Sequence, residues 1–204
     1  MLEIIFSYVQ IIISYVILLP WILLMLVITS LIPPEVNTDV HQYETYRHEL
    51  NYAVDFMPEI NSLGEYDELR FGYQKTSEFL FVAETMSLTA KYSEDEYSAV
   101  KETMLTHYDF IDAPVVDTNG NVLLDDSFIH NGYVFRAVPT YRHSFQYGAC
   151  KYFGILGIND DLCCIAWLYY DDADRDYVAE ADADIDQEMR DLIDDEFHWD
   201  SFIE

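Results

Sequence analysis

Positive charge is what this sequence has least of. Its 204 residues hold 10 Lys plus Arg against 38 Asp plus Glu, a formal net charge of −28. A field of that sign repels phosphate backbones and anionic headgroups, which excludes nucleic acid as a partner. Cysteine is nearly as scarce. Cys150, Cys163 and Cys164 are too few for a disulfide framework, and their odd number leaves at least one thiol after any pairing. The 7 glycines form neither a phosphate-binding loop nor a dinucleotide fingerprint. No His-x-x-x-His pair, internal repeat, low-complexity linker or N-glycosylation sequon occurs. The residues offer no motif on which a family resemblance could rest.

Charge of either sign is missing altogether between Glu3 and Glu35. Hydrocarbon about 30 Å thick needs roughly 20 helical residues to span it, and the apolar run is longer than that. Residues 4–32 are therefore expected to be a transmembrane anchor, 33–37 a short hinge, and 38–204 one acidic domain. Pro20 is tolerable inside such a helix, whereas Pro33 and Pro34 end it. A cleaved signal peptide is the weaker reading: Met1-Leu2-Glu3 lacks a basic lead, the run is too long, and Thr29-Ser30-Leu31 is a poor processing site. An uncleaved signal-anchor fits better. Arg47 is the lone base within the trailing flank, so nothing holds the domain in the cytoplasm. The expected location is an extracytoplasmic domain on a single-pass anchor, with the absent sequon favouring a bacterial cell surface.

What is present argues for a folded domain. Apolar residues make up 51% and aromatics 16% of the chain, 17 of them Tyr, which is ample material for a core. Thr38 to Met57 reads as a helix, capped by Asn37 or Thr38, with Val40, Tyr43, Arg47, Leu50 and Val54 on one side. Ser93-Glu94-Asp95-Glu96 is a capping box opening a second helix with a stripe of Tyr97, Val100, Met104, Leu105 and Tyr108. Tyr66 to Lys75 and Ser77 to Tyr92 read as paired strands. Asn-Gly pairs at Asn119-Gly120 and Asn131-Gly132 mark tight turns. Asn159-Asp160-Asp161 separates two strands whose turn, centred on Asn159 and Asp160, sets Cys163 opposite Leu156 and Cys164 opposite Ile155. Ile185, Met189, Leu192, Ile193 and Phe197 form the stripe of a terminal helix. The fold class is α+β: one antiparallel sheet, paired as a meander, with the helices packed on one face.

Candidate chemistry is sparse. Asp172, Asp174 and Asp176, with Glu180 beyond, have the spacing of half a Ca²⁺ loop. Tyr177 and Ala183 stand where the loop needs Gly and Glu, so a solvated acidic loop is the default and a weak Ca²⁺-responsive site the alternative. Cys163 and Cys164 point to opposite strand faces and are expected to be buried structural thiols. A hydrolase would need a Cys or Ser brought to a His by the fold, while Tyr141-Arg142-His143, after Pro139, could receive an anionic ligand, with neutralisation of nearby carboxylates the default. Neither a cofactor nor a catalytic residue can be assigned. The expected role is binding or interaction, with a protein partner or a second copy possible through Tyr43 and Tyr46.

Overall fold

The computed structural model describes residues 16–24, 27, 32–78, 81–116, 122–139, 145–146, 149–150, 152–172 and 184–203. Residues 16–24 are helical and exposed throughout; most of the expected anchor lies outside the described residues. Among the described residues no helix is long and apolar enough to cross a membrane.

A seven-stranded antiparallel sheet organises the rest. Its strands are β1 (Glu35–Asn37), β2 (Glu68–Glu78), β3 (Phe81–Lys91), β6 (Ser127–His130), β7 (Tyr133–Pro139), β10 (Tyr152–Asn159) and β11 (Cys164–Asp171), in the order β1-β2-β3-β11-β10-β7-β6. Two small hairpins lie apart from it, β4 (Val115–Val116) with β5 (Val122–Leu124), and β8 (Phe145–Gln146) with β9 (Ala149–Cys150). Sequence neighbours do pair, but β11 lies between β3 and β10, so the sheet is not a simple meander. The reason is compositional. All eight residues of β11 are buried, and a strand apolar on both faces belongs in the middle of a sheet covered on both sides.

Those two coverings correct the expectation of helices on one face. Alternate residues of β11 feed two separate cores: Ile165, Trp167 and Tyr169 enter one, Cys164, Ala166, Leu168 and Tyr170 the other. The first core is roofed by α1 (Tyr43–Glu49), the loop after it and α2 (Glu94–His107). The second is roofed by α3 (Ile185–Glu196), through Met189, Leu192, Ile193 and Phe197. The terminal stripe expected from the sequence is thus observed, on the face opposite the other helices.

The first helix is shorter than Thr38 to Met57. Asp39 caps a short 3₁₀ turn by accepting from His41 N at 3.0 Å, and α1 stops at Glu49. Beyond it Asn51 donates from its backbone and side chain to Asp171, at 3.1 and 3.3 Å, and Tyr52 takes a left-handed φ of 56°. Buried Arg47 then holds the following loop by donating to Met57 O at 2.7 Å. Val54, expected on the buried side, is exposed. Residues 35–37, the end of the expected hinge, form β1 and pair with Tyr73–Lys75 of β2.

The second helix follows its capping box, with Ser93 Oγ accepting from Glu96 N. Leu105 departs from the expected stripe and is exposed. Asn131 and Gly132, at φ 47° and 70°, make the tight turn between β6 and β7. The β10–β11 register differs from expectation. Asn159 pairs with Cys164, Leu156 with Trp167 and Ile155 with Leu168, because the turn spans residues 160–163 and is closed by Leu162 N donating to Asn159 Oδ1 at 3.0 Å. The displacement is by an even number of residues, so each side chain keeps its expected face.

On the second face, β3 presents Thr85, Ser87 and Thr89 at alternate positions, all buried. The chain leaving α3 crosses them. Thr85 donates to Glu196 O, Ser87 to His198 O at 2.9 Å, and Trp199 Nε1 to Thr89 Oγ1 at 2.9 Å. Gln74 on β2 adds a bond to Asp195 O at 3.1 Å.

Candidate functional site

The first face is not roofed evenly. The covering elements stop short of β7 and β6, and Val134 and Ile129 remain 50% and 64% exposed there. Between this bare margin and α2 lies a cavity of about 220 Å³.

Its floor comes from strand alternation. Val134 and Arg136 on β7 stand directly opposite Ile158 and Leu156 on β10, all four on one face. Its helical wall comes from the other periodicity: Lys101 and Leu105 are four residues apart on α2 and share its face with Tyr97. Phe110 closes the end. Ile111 N donates to Ala137 O at 3.1 Å, drawing the chain after α2 back onto β7 and setting the Phe110 ring against Arg136.

The charges in this cavity differ in state. Asp160, in the β10–β11 turn, accepts from Lys101 Nζ at 2.5 Å and from Tyr97 OH at 2.7 Å. The Lys101 ammonium, and then the Tyr97 hydroxyl, hold the Asp160 carboxyl below the usual carboxylate range. Burial, reinforced by the bond to Asp160, pushes the Tyr97 phenol up. Lys101 and Asp160 therefore neutralise each other. Arg136 is different. Its guanidinium carbon lies 3.9 Å from the Phe110 ring centre, and among the described residues no carboxylate forms an ion pair with it. By contrast, Arg47 pairs with Glu44, Arg70 with Glu68 and Asp200, Lys75 with Glu84, and Arg190 with Asp186. Among the described residues Arg136 and Lys91 are the Arg and Lys side chains with no carboxylate partner, and Arg136 lies over an apolar floor in a chain of net charge −28.

A second cavity, about 340 Å³, lies between the end of α2 and the loop after α1, with Arg47, Phe56, Glu59 and His107 in its lining. Its cation is already occupied. Arg47 donates to Met57 O, Val54 O and Glu44, at 2.7, 3.4 and 3.4 Å.

The residues singled out from the sequence lie elsewhere. Asp172 is fully buried and accepts from Tyr170 OH at 2.9 Å, so it is not part of a solvated loop. Asp174, Asp176 and Glu180 lie outside the described residues, as do Tyr141, Arg142 and His143. Among the described residues no cluster of His, Cys, Asp and Glu could hold a metal ion. Cys164 is buried in the second core and Cys163 is half-buried in the turn. Tyr43, expected at a partner surface, is fully buried and donates to Pro58 O, while Tyr46 stacks on Tyr73 at 4.0 Å between ring centres.

Lys101, Phe110, Arg136 and Asp160 come from four separate elements, so no local spacing in the sequence groups them. One signal was available. Arg136 alternates with Tyr133, Phe135 and Ala137 on a strand, so it had to share a face with Val134. Neither a family model, nor a curated protein, nor a solved structure matches this chain.

Proposed function

We propose that this chain is a single-pass membrane protein that presents its acidic α+β domain outside the cytoplasm and acts through binding. The observation that carries the membrane half is the exposure of residues 16–24: Val16, Leu18, Trp21 and Leu23 are each more than half exposed, on every side of the helix. A helix apolar all round requires a non-aqueous surrounding. The domain does not supply one, since every residue from 16 to 24 is exposed rather than packed against it. The uncharged run from Ile4 to Pro34 gives more than the roughly 20 residues a bilayer crossing needs. Arg47 is the one Lys or Arg in the flank that follows that run, too little positive charge to retain the domain in the cytoplasm.

Binding is favoured by the make-up of the cavity between α2 and β7. It joins an apolar floor to a few placed polar groups, the usual composition of a ligand site.

The test is a cysteine at the exposed position 98 of α2 (Ser98→Cys) in a chain whose native cysteines are replaced. The protein is expected to stay in the membrane pellet at alkaline pH and to react with an impermeant maleimide on intact cells. Release into the supernatant would overturn the anchor. Labelling only after lysis would overturn the outward orientation.

A further inference from the structure

We infer that the cavity between α2 and β7 is a binding site for a small monocarboxylate with a compact apolar or aromatic body, its carboxylate received by Arg136. The inference rests on the reading of the domain as a binding module and names the chemistry of its ligand.

Three observations converge. The first is charge. Lys101 and Asp160 cancel at 2.5 Å, leaving the Arg136 guanidinium as the net charge of the cavity. A guanidinium offers parallel N–H donors that match the two oxygens of a carboxylate. Among the described residues no carboxylate takes up those donors. The second is position. The guanidinium carbon sits over the Phe110 ring, 3.9 Å from its centre, a cation–π contact that restrains where the group lies in the cavity. The third is shape. Leu156, Ile158, Val134 and Leu105 supply the apolar remainder of the lining, and the last two reach solvent at 50% and 37% exposure. An apolar body can therefore enter from that side with its acid group leading.

Size sets the class of ligand. The volume of the cavity is near 220 Å³. It lies below the roughly 300 Å³ at which drug-sized ligands begin to be enclosed. A phenylalkanoate or a short branched fatty acid fits that limit, and a nucleotide or an oligosaccharide does not. The surrounding acidity adds selectivity, since a dianion would meet the repulsion of the domain while gaining a single uncommitted cation.

The experiment is calorimetric titration of the full-length protein in zwitterionic-lipid nanodiscs with 3-phenylpropanoate, empty discs being subtracted. Its neutral counterpart, 3-phenylpropanol, is titrated in parallel. Saturable binding of the acid is expected, with the alcohol weaker by roughly tenfold or more, the worth of one charge-assisted bidentate contact. Arg136→Gln should lower the affinity for the acid to that of the alcohol. Val134→Phe, which fills the mouth from an exposed position, should abolish binding of both while leaving thermal unfolding cooperative. If Arg136→Gln fails to fold, the acid-to-alcohol ratio and Val134→Phe still decide the matter. The inference is overturned if the acid does not saturate up to about 10 mM, a concentration covering even weak single-site binding. It is equally overturned if the alcohol binds as well as the acid, or if Val134→Phe binds like the wild type. None of these results depends on membrane retention, so a chain that left the membrane pellet could still bind, and a retained chain could fail to.

Discussion

Gly72 and His198 meet backbone against backbone: a side-chain carbon at residue 72 would collide with the carbonyl oxygen of His198. That oxygen also accepts from Ser87, the cross-strand partner of Gly72. The segment leaving α3 thus lies on β2 and β3 at a separation that only hydrogen at Cα permits. Gly72→Ala is expected to lift it, with a loss of about 3 kcal/mol from overpacking and from the broken Ser87 bond. Urea denaturation would measure it. Ser87→Ala, which removes the bond without the clash, should cost about 1 kcal/mol.

Arg47 performs a structural task that a charged residue rarely performs in a core. Its guanidinium satisfies the carbonyls of Met57 and Val54 while Glu44, its ion-pair partner, accepts from Ile60 N at 3.1 Å. Arg47→Met keeps the volume and orphans the buried Met57 carbonyl and the part-buried Val54 carbonyl, so a loss of about 2 kcal/mol is expected. Faster proteolytic cleavage within residues 50–58 should accompany it. Unchanged stability would show that those carbonyls find water instead.

Asp171 sets a pH dependence. Burial pushes its carboxyl up from 3.8 to about 7, against the lowering effect of the Asn51 bonds, and Glu84 adds to the rise. The folded state therefore binds this proton more tightly than the unfolded chain. The sign follows from linkage: the stabilisation is complete below about 3.8, is lost as pH rises, and is gone above about 7. The melting temperature should climb when pH falls from 8 to 5. Asp171→Asn should flatten that climb and raise the melting temperature at pH 8, where its neutral amide replaces a buried charge. A steeper climb in the variant would contradict the assignment.

The adjacent thiols should react at different rates. Cys163 sits half-buried in the turn at a positive φ of 52°, while Cys164 is buried and its thiol is pushed up by that burial. In a Cys150→Ser background a colorimetric disulfide reagent should titrate one thiol in the native protein and the second only in denaturant. Equal rates would mean that the second core opens near β11.

Local signals in the sequence carried further than long-range ones. The helix opening at Ser93 and the stripe from Ile185 to Phe197 were legible because a cap and a 3.6-residue period are properties of neighbouring residues. The first helix stops at Glu49, short of the expected Met57, because its end is imposed from Asp171, 120 residues away from Asn51. Likewise Asn159 lengthens the β10–β11 turn through a side-chain bond to Leu162 that composition does not announce. The division of the helices between two faces depends on where β11 lies in the sheet, a pairing with β3 across more than seventy residues of chain. The cavity was invisible for the same reason. Leu105 matches the helical stripe, but the sheet beneath it ends in exposed Val134 rather than in a core.

β1 has a mechanical meaning. The chain enters the sheet through Glu35, Val36 and Asn37, whose pairs with Lys75, Gln74 and Tyr73 are the shortest seam between strands of that sheet. A pull arriving from residues 16–24 loads these three pairs before it reaches any long strand. None of the three residues is buried, so unzipping them withdraws no side chain from either core. β1 is in effect a fuse: it can peel away and lengthen the tether by about 10 Å, at roughly 3.3 Å per extended residue, while both halves of the domain stay shut.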